Sequence, residues 1–280
     1  MRLAILVVLY NKKLEDSTTL KSLAKNVTQS FDLFIFNNGP HFIEKNDAAR
    51  DLLNSFKTVS IDEDLNNRSL SAIYNSFIED NEFDYYLLFD DDSYIEHDFF
   101  IPYSQLSSDV DLQVPIIYSN YDGAVYYPKI DEFVIESSGK YKFQKGFISI
   151  GSGLGLSKSL KEKFKSENME IFDTRFALYG VDFSLFRRMN ILCNKEKSFT
   201  INVHNKLNHS LSKVENSEEV GKSKERLIAR VLSILHYSDG KIVVVKQLLR
   251  QILREMSSLK INRVLLILKL ILLQKHPRSS

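Results

Sequence analysis

The sequence is poor in the residue types that mark several protein classes. A single cysteine, Cys193, excludes an internal disulfide framework and fits a reducing compartment. Glycine and proline are sparse, and no long biased tract is present. No apolar run reaches the roughly 20 residues that cross a bilayer. With 44% hydrophobic and 26% charged residues, the 280-residue chain has the composition of a globular protein with a substantial core.

The apolar N-terminus resembles the core of a signal peptide but lacks a cleavage site. Leu3–Leu9 runs directly into Asn11-Lys12-Lys13, and no small-residue cleavage site follows. We therefore interpret Leu3–Leu9 as a first buried strand and expect a cytoplasmic protein.

Strand and helix patterns alternate over the first ninety residues. The predicted strands are Leu3–Leu9, Phe31–Phe36, Thr58–Ile61 and Tyr85–Phe89, and the predicted helices are Ser17–Val27, Asp47–Phe56 and Ser69–Ile78. This alternation predicts an α/β fold with a mostly parallel central sheet flanked by helices. The region 102–149 predicts shorter strands and loops.

Polar side chains follow three of these strands at the point where each strand ends. They are Tyr10-Asn11, Asn37-Asn38-Gly39 and Asp90-Asp91-Asp92. Ligands of open parallel sheets bind outside the carboxyl ends of the strands, so these clusters predict a site at one edge.

The acidic triplet Asp90–Asp92 carries the most chemical information. Like charges at the end of a buried strand repel one another and are costly to desolvate. A divalent cation would remove both objections, and hard oxygen ligands suit Mn²⁺ or Mg²⁺. The alternative is a solvated acidic loop in which Asp92-Ser93 begins a helix.

The stretch Gly151–Ser157 contains Gly-x-Gly-x-Gly after an apolar run. The spacing is wrong for a dinucleotide-binding loop. It predicts either a close backbone approach to a sugar or phosphate, or a bend in a strand.

Asp182 marks a second acidic position, at the start of a predicted helix Asp182–Met189. Its apolar neighbours would raise its proton affinity toward that of a general base. The alternative is a carboxylate that only caps the helix. Further on, His204 and His209 follow a predicted strand, Phe199–Val203, and are either structural residues or ligands at the same edge.

The C-terminal region differs chemically from the rest. From residue 241 onward nine basic residues face one acid, whereas the first 240 residues hold 28 basic and 35 acidic residues. Residues from about Ser223 onward have a helical pattern, and Val264–Leu273 carries one charge in ten residues. We predict a body, 1–212, and a basic amphipathic helical region, 213–280, that lies on an anionic membrane surface. Docking on the body or on a partner is the alternative. Nucleic acid is not expected, because the basic residues alternate with aliphatic rather than aromatic side chains.

The ordered set of motifs over residues 1–212 resembles the family-2 inverting glycosyltransferases of the GT-A fold. Asp173-x-x-Phe176-x-x-Tyr179-x-Val181-Asp182 is similar to the rhamnosyltransferase and galactofuranosyltransferase branch that builds bacterial surface polysaccharides. The family pattern is not matched everywhere, since Asn37-Asn38 stands where an aspartate usually pairs with the base. Val181 likewise stands where a glutamate is frequent.

The resemblance implies a role for each matching residue. The implied donor-binding residues are Tyr10, Asn11, Asn38, Arg68, Asp90 and Asp91. The implied metal, Mn²⁺ or Mg²⁺, would be held by Asp90, Asp92 and His209. Asp182 would remove the proton from the acceptor hydroxyl.

The expected function is transfer of a hexose from a dTDP- or UDP-sugar to a lipid-linked glycan acceptor during surface polysaccharide synthesis. The enzyme would be peripheral on the cytoplasmic face of the cell membrane. Three alternatives remain: a nucleotidyltransferase or a phosphatase that uses the same acidic metal site, and a non-catalytic peripheral membrane protein.

Overall fold

The computed structural model describes residues 1–25, 30–44, 46–105, 109–210 and 220–279. The strands are β1 (Leu3–Leu9), β2 (Phe31–Asn37), β3 (Val59–Glu63), β4 (Tyr85–Asp90), β5 (Tyr94–Ile95), β6 (Leu112–Ser119), β7 (Val125–Tyr127), β8 (Lys129–Ile130), β9 (Phe133–Val134), β10 (Gly139–Lys142), β11 (Phe147–Ile148), β12 (Gly155–Ser157) and β13 (Thr200–His209). The helices are α1 (Thr18–Lys25), α2 (Asp47–Asn54), α3 (Leu70–Glu79), α4 (Lys158–Lys165), α5 (Val181–Cys193), α6 (Val220–Tyr237), α7 (Lys241–Ser257) and α8 (Ile261–Leu273).

Among the described residues, ten strands form a mixed sheet at the centre of the molecule. Eight of them follow the order β10-β13-β6-β12-β4-β1-β2-β3, while β5 pairs with β13 and β7 pairs with β6. β1 pairs in parallel with β2 and β4, and β2 pairs in parallel with β3. β12 runs antiparallel to both β4 and β6, while β13 is parallel to β6. The carboxyl ends of β1, β2, β3, β4, β6 and β13 therefore meet at one edge, and the predicted α/β fold is confirmed.

The sheet buries apolar side chains on both faces. All seven residues of β1 are buried, and successive side chains point to opposite sides of a strand. Leu6 and Val8 accordingly join one core cluster, while Ile5 and Val7 join the other. A strand buried on both faces explains why the sequence shows a continuous apolar run here instead of alternation.

The central strand β6 is a departure from the sequence prediction, which placed only shorter strands between residues 102 and 149. Pro115 lies inside β6, and proline argues against an interior strand because it donates no hydrogen bond. In the structure, Pro115 lies just past the pairing with β12 and opposite a bulge in β13. Gly153 packs against it so closely that a Cβ there would lie 2.7 Å from Pro115 Cγ.

Several predicted boundaries also shift. The strand predicted to end at Val203 continues through the bulge to His209, which brings that histidine to the carboxyl edge. The helix predicted to reach Phe56 ends at Asn54. The last two residues of the predicted Ser17–Val27 helix, and the proposed division at 212/213, lie outside the described residues.

The C-terminal helices pack on the body with one side and expose the other. Leu227 and Val231 of α6 and Ile267 and Leu270 of α8 are buried in the same core cluster as α5. The helical pattern predicted from Ser223 onward is thus confirmed. None of the helices in the described part of the chain combines the length and apolarity needed to cross a membrane.

Asp173 ties the segment before α5 to the end of α6. Its buried carboxylate accepts hydrogen bonds from Arg175 at 2.8 and 2.6 Å and from the Tyr237 hydroxyl at 2.5 Å, and Arg188 Nη2 lies 3.3 Å away. Burial would raise its pKa, but the hydrogen bonds from Arg175 and Tyr237 and the charge of Arg188 lower the pKa to about 2. The ionised carboxylate therefore stabilises this junction.

We expect Asp173→Asn to lower the free energy of unfolding by about 3 kcal/mol, because it removes the counter-charge of two partly buried arginines, Arg175 and Arg188. Because the folded pKa lies below the ordinary value, the contribution of Asp173 is present above about pH 4 and is lost as the pH falls toward 2. Denaturant titrations of wild type and variant across this range measure both effects. If the variant does not fold, Tyr237→Phe should show a milder loss of about 1 kcal/mol. If the free energy of unfolding changed with pH in the same way for wild type and variant, ionised Asp173 would not stabilise this junction.

Candidate active site

The strand topology brings the predicted polar residues to one edge of the sheet. Tyr10-Asn11 follows β1, Asn37 ends β2, Asp90 ends β4 and His209 ends β13. Asn38 N–H donates to the Leu9 carbonyl at 2.8 Å, and Asn11 N–H donates to the Gly39 carbonyl at 2.7 Å. These backbone bonds lock the first two strand ends together.

Asp90, Asp92 and His209 form a compact group at this edge. One ligand atom from each lies within 4.8 Å of the other two. His209 Nε2 is 3.7 Å from Asp90 Oδ2, and His209 Nδ1 is 3.4 Å from Asp92 Oδ1. Residues from two distant parts of the chain thus meet because β13 runs parallel to β4 and ends at the same edge.

Two buried serines hold the imidazole of His209 in place. Ser93 Oγ lies 3.0 Å from His209 Nδ1 and 2.6 Å from Ser152 Oγ. Ser152 Oγ also accepts a hydrogen bond from the Asp90 backbone N–H at 3.2 Å. With Nδ1 engaged by Ser93, Nε2 is directed toward Asp90, and a hydrogen bond to one ring nitrogen commonly orients a histidine whose other nitrogen binds a metal.

The environment of Asp90 opposes its ionisation. Burial raises its pKa to about 7; His209 opposes this rise, and the neighbouring carboxylates add to it. Its side chain still retains 42% of its accessible surface, so one side opens to solvent while protein surrounds the rest. A cation at this point would offset the repulsion between the carboxylates.

The group fits a divalent cation. Asp92 Oδ1 is buried and has no hydrogen-bond partner in the described residues, although buried carboxylate oxygens are normally paired. Two carboxylates and one imidazole are ligands that can bind a divalent cation, and a substrate could supply further ligands. Asp90, Asp92 and His209 are therefore the residues that would hold the ion, as the resemblance implies.

Asp182 stands near this group on a separate element. It lies in the first turn of α5, where its Oδ1 accepts the Phe183 N–H at 2.9 Å. A Cβ on Gly151 would lie 3.7 Å from the Asp182 Cβ, while the next residue, Ser152, contacts Asp90. The Gly151-Ser152 turn thus lies between the two acidic positions.

Tyr74 gives a second measure of this proximity. It is buried, and its pKa is raised by burial and then by the charges of both Asp90 and Asp182. Its hydroxyl lies 3.9 Å from the position of a Cβ on Gly151. Asp90 and Asp182 therefore both lie near Tyr74 and the Gly151-Ser152 turn.

The predicted donor-binding residues take different positions. Tyr10 and Asn11 are exposed at the edge, with Tyr10 retaining half of its accessible surface. Asn38 is buried and donates from Nδ2 to the Arg68 carbonyl at 2.9 Å. Its Oδ1 is also buried and has no hydrogen-bond partner within the described residues.

Asp91 and Arg68 do not join the Asp90–His209 group. Asp91 pairs with Lys12 at 2.5 Å, and burial raises its pKa against the effect of that lysine. The Arg68 guanidinium donates to Ser76 Oγ at 2.9 Å, two turns along α3. His204 is exposed at the bulge in β13 and also lies apart from the group.

Sequence patterns missed Ser93, Ser152 and Tyr74. Ser93 directly follows the acidic triplet and Ser152 stands inside the glycine-rich stretch, which are weak local signals. Their function depends on contacts across 59 or more residues, which no local pattern records.

The fold is similar to that of solved glycosyltransferases. A structure of TarS 1-349 from S. aureus with UDP-GlcNAc matches with a TM-score of 0.55 at 14% identity, covering 86% of this chain and 68% of that one. A longer TarS structure gives a TM-score of 0.54 at 14% identity over 86% of this chain, which spans only 41% of that protein. The mannosyltransferase PcManGT from Pyrobaculum calidifontis, with GDP-Man and Mn²⁺, gives 0.53 at 9% identity over 85% of this chain and 65% of its own.

No protein-family model and no curated protein sequence matches this chain. At identities of 9–14%, the structural similarity establishes the fold alone, which is a GT-A-like glycosyltransferase fold. The expected GT-A architecture is therefore confirmed.

Proposed function

We propose that the protein is a metal-dependent inverting glycosyltransferase that uses a nucleotide-sugar donor. The observation that carries this proposal is the meeting of Asp90, Asp92 and His209 at the carboxyl edge of a glycosyltransferase fold, with Asp182 near them beside the Gly151-Ser152 turn. One acidic position would hold a cation, and the other would accept a proton.

The donor would bind along the ends of β1, β2 and β4. The exposed ring of Tyr10 offers a surface for the nucleobase, and Asn38 would stand near the base or the ribose. A divalent cation held by Asp90, Asp92 and His209 supplies positive charge to the diphosphate leaving group. A dTDP- or UDP-hexose is the proposed donor; among similar folds, TarS binds UDP-GlcNAc and PcManGT binds GDP-Man with Mn²⁺.

Asp182 would act on the acceptor. Its carboxylate takes the proton of the attacking hydroxyl as the bond between that oxygen and the anomeric carbon forms and the bond to the diphosphate breaks. The transition state has oxocarbenium character, as in glycoside hydrolysis. Attack from the face opposite the diphosphate inverts the anomeric configuration.

The proposed acceptor is a lipid-linked glycan, and the proposed process is the synthesis of a surface polysaccharide. In this proposal the protein acts like a rhamnosyltransferase or a galactofuranosyltransferase. The C-terminal helices support a position on the cytoplasmic face of the cell membrane. α7 exposes Ile242, Val245 and Leu249 on one face, and the residues from 241 onward are strongly basic. Exposed aliphatic side chains among lysines and arginines are typical of helices that lie on anionic membranes.

A panel of nucleotide sugars, with and without Mn²⁺, tests the donor assignment by thermal stabilisation and by hydrolysis. We expect one donor class to stabilise the protein in the presence of Mn²⁺, by about 2.7 kcal/mol at a concentration a hundredfold above Kd, and to be hydrolysed slowly. Pyrophosphate release from a nucleoside triphosphate would instead indicate a nucleotidyltransferase, and cleavage of phosphomonoesters would indicate a phosphatase. Donor binding without turnover or transfer would indicate a non-catalytic protein, and no donor binding at all would overturn the proposal.

A further inference from the structure

A small basic cavity lies between the three C-terminal helices, remote in sequence from the catalytic residues. Its volume is about 280 Å³. Five cationic side chains and one carboxylate line it: Arg226 and Arg230 of α6, Arg254 and Glu255 of α7, and Lys260 and Arg263 around the start of α8. Ser223 and Ser258 add hydroxyl groups.

The single carboxylate is already engaged. Glu255 is buried, lies 3.0 Å from Arg263 Nε and accepts a hydrogen bond from Gln251 at 2.7 Å. Arg263 also donates to the Ser223 hydroxyl at 3.2 Å. Glu255 therefore fixes Arg263 at the cavity wall.

Arg254 and Lys260 have no carboxylate partner among the described residues, and Arg230 makes only a long contact of 3.4 Å to Gln251. Like charges gathered in one cavity repel unless an anion joins them. Guanidinium groups match phosphate oxygens in a bidentate geometry, and serine hydroxyls complete the same kind of site. The cavity thus has the chemistry of a phosphate site.

Exposed apolar residues lie next in sequence to residues that line this cavity. Leu259, in the turn between α7 and α8, is 87% exposed and adopts a left-handed backbone conformation with φ of 54°. Ile261 and Met256 beside it are also exposed. A strained, exposed leucine flanked by Ser258 and Lys260 of the cavity is costly in water, and strain of this kind is found at ligand contacts. A ligand with both a phosphate and an apolar chain would satisfy both parts.

We propose that this cavity binds the phosphate group of a membrane lipid, whose acyl or prenyl chain lies beside Leu259 and Ile261. This inference extends the membrane association in the proposed function by naming the residues and the headgroup chemistry. The α7–α8 turn is then the point of contact with the bilayer, and the binding requires neither donor nor divalent cation.

The test uses the full chain without divalent cation or donor. Vesicles of phosphatidylcholine containing either phosphatidic acid or, at matched surface charge, phosphatidylglycerol are titrated by co-sedimentation. We expect wild type to prefer phosphatidic acid, whose phosphate is terminal. Each basic residue lost near the membrane surface should weaken binding about fivefold, so Arg230→Gln/Arg254→Gln should weaken binding to phosphatidic acid vesicles by about thirtyfold. The double variant should also lose the preference for phosphatidic acid over phosphatidylglycerol.

The matched control is Lys246→Gln/Arg250→Gln, which removes two charges from α7 outside the cavity. It should weaken binding to both vesicles equally and keep the preference for phosphatidic acid. Arg254→Lys retains the charge but not the bidentate geometry, and should also lose the preference, so it replaces the double variant if that fails to fold.

Three outcomes would overturn the inference. Equal loss of preference in both double variants would mean that the cavity is not the site. Stabilisation by inorganic phosphate without any vesicle binding would reassign the cavity to a free phosphate ion. Absence of binding to every probe would remove the site altogether. Donor hydrolysis is measured separately, so none of these results bears on the transferase assignment.

Discussion

Asp182→Asn is expected to reduce the rate of sugar transfer by about a thousandfold while leaving the dissociation constant of the donor unchanged within about a factor of two. The amide keeps an oxygen that can accept the Phe183 N–H, so the start of α5 should be preserved. It loses the capacity to take a proton from the attacking hydroxyl. Because that capacity is needed only in the transition state, kcat should fall and donor affinity should not.

The measurement combines two assays on the same preparation. Donor binding is titrated calorimetrically with Mn²⁺, and turnover is followed as release of nucleoside diphosphate, with water as the acceptor where no glycan acceptor is available. Asp51→Asn, an exposed change on α2, controls for the loss of one negative charge. Turnover near the wild-type rate in Asp182→Asn would exclude Asp182 as the base and favour its alternative role, that of a helix cap.

The parallel half of the sheet was predictable because each of its strands carries a local signal. β1 and β4 are continuous apolar runs, and β2 alternates. Their ends were therefore predictable too, and with them the position of Asp90. β6 was not predictable, because Pro115 lies inside it and proline disfavours an interior strand. The sheet accommodates Pro115 through a bulge in β13 and through the absence of a side chain on Gly153.

The site divides in the same way. Asp90, Asp92 and Asp182 were found because acidic residues at the end of a strand or the start of a helix are visible in the sequence. His209 depended on how far β13 extends, and its orientation by Ser93 and Ser152 is purely tertiary. Local patterns identify chemical groups, but only the topology determines which of them share a cleft.

The C-terminal region shows a related limit. The sequence predicts that the basic amphipathic region 213–280, with its apolar segment Val264–Leu273, lies on an anionic membrane surface. In the structure, Ile267 and Leu270 of that segment are buried against the body, while Leu265 and Leu272 are exposed. Deleting residues 260–280 would therefore uncover the core, and point substitutions on exposed positions are the appropriate test of membrane association.

Asp92→Asn is expected to have the largest effect on metal-dependent function. It should not lower the stability of the metal-free protein. Loss of a residue that only hydrogen-bonds to a metal ligand weakens metal binding by up to about a hundredfold. Removing one of the two carboxylates themselves should therefore weaken Mn²⁺ binding by at least that factor. Donor hydrolysis should fall by about a thousandfold, since stabilisation of the leaving diphosphate is worth several kcal/mol. Mn²⁺ titration by electron paramagnetic resonance, with and without UDP, measures the first effect.

The stability of the same variant separates a metal ligand from a structural residue. Asp92 Oδ1 makes no hydrogen bond in the described residues, and its charge adds to the repulsion at Asp90. Without metal, Asp92→Asn should therefore melt at the same temperature as wild type or higher, whereas added Mn²⁺ should stabilise only wild type. Asp91→Asn is the matched control: Asp91 pairs with Lys12, so this variant should keep its Mn²⁺ affinity within about threefold. Equal Mn²⁺ affinities in wild type and Asp92→Asn would show that the carboxylates at the end of β4 do not hold the cation.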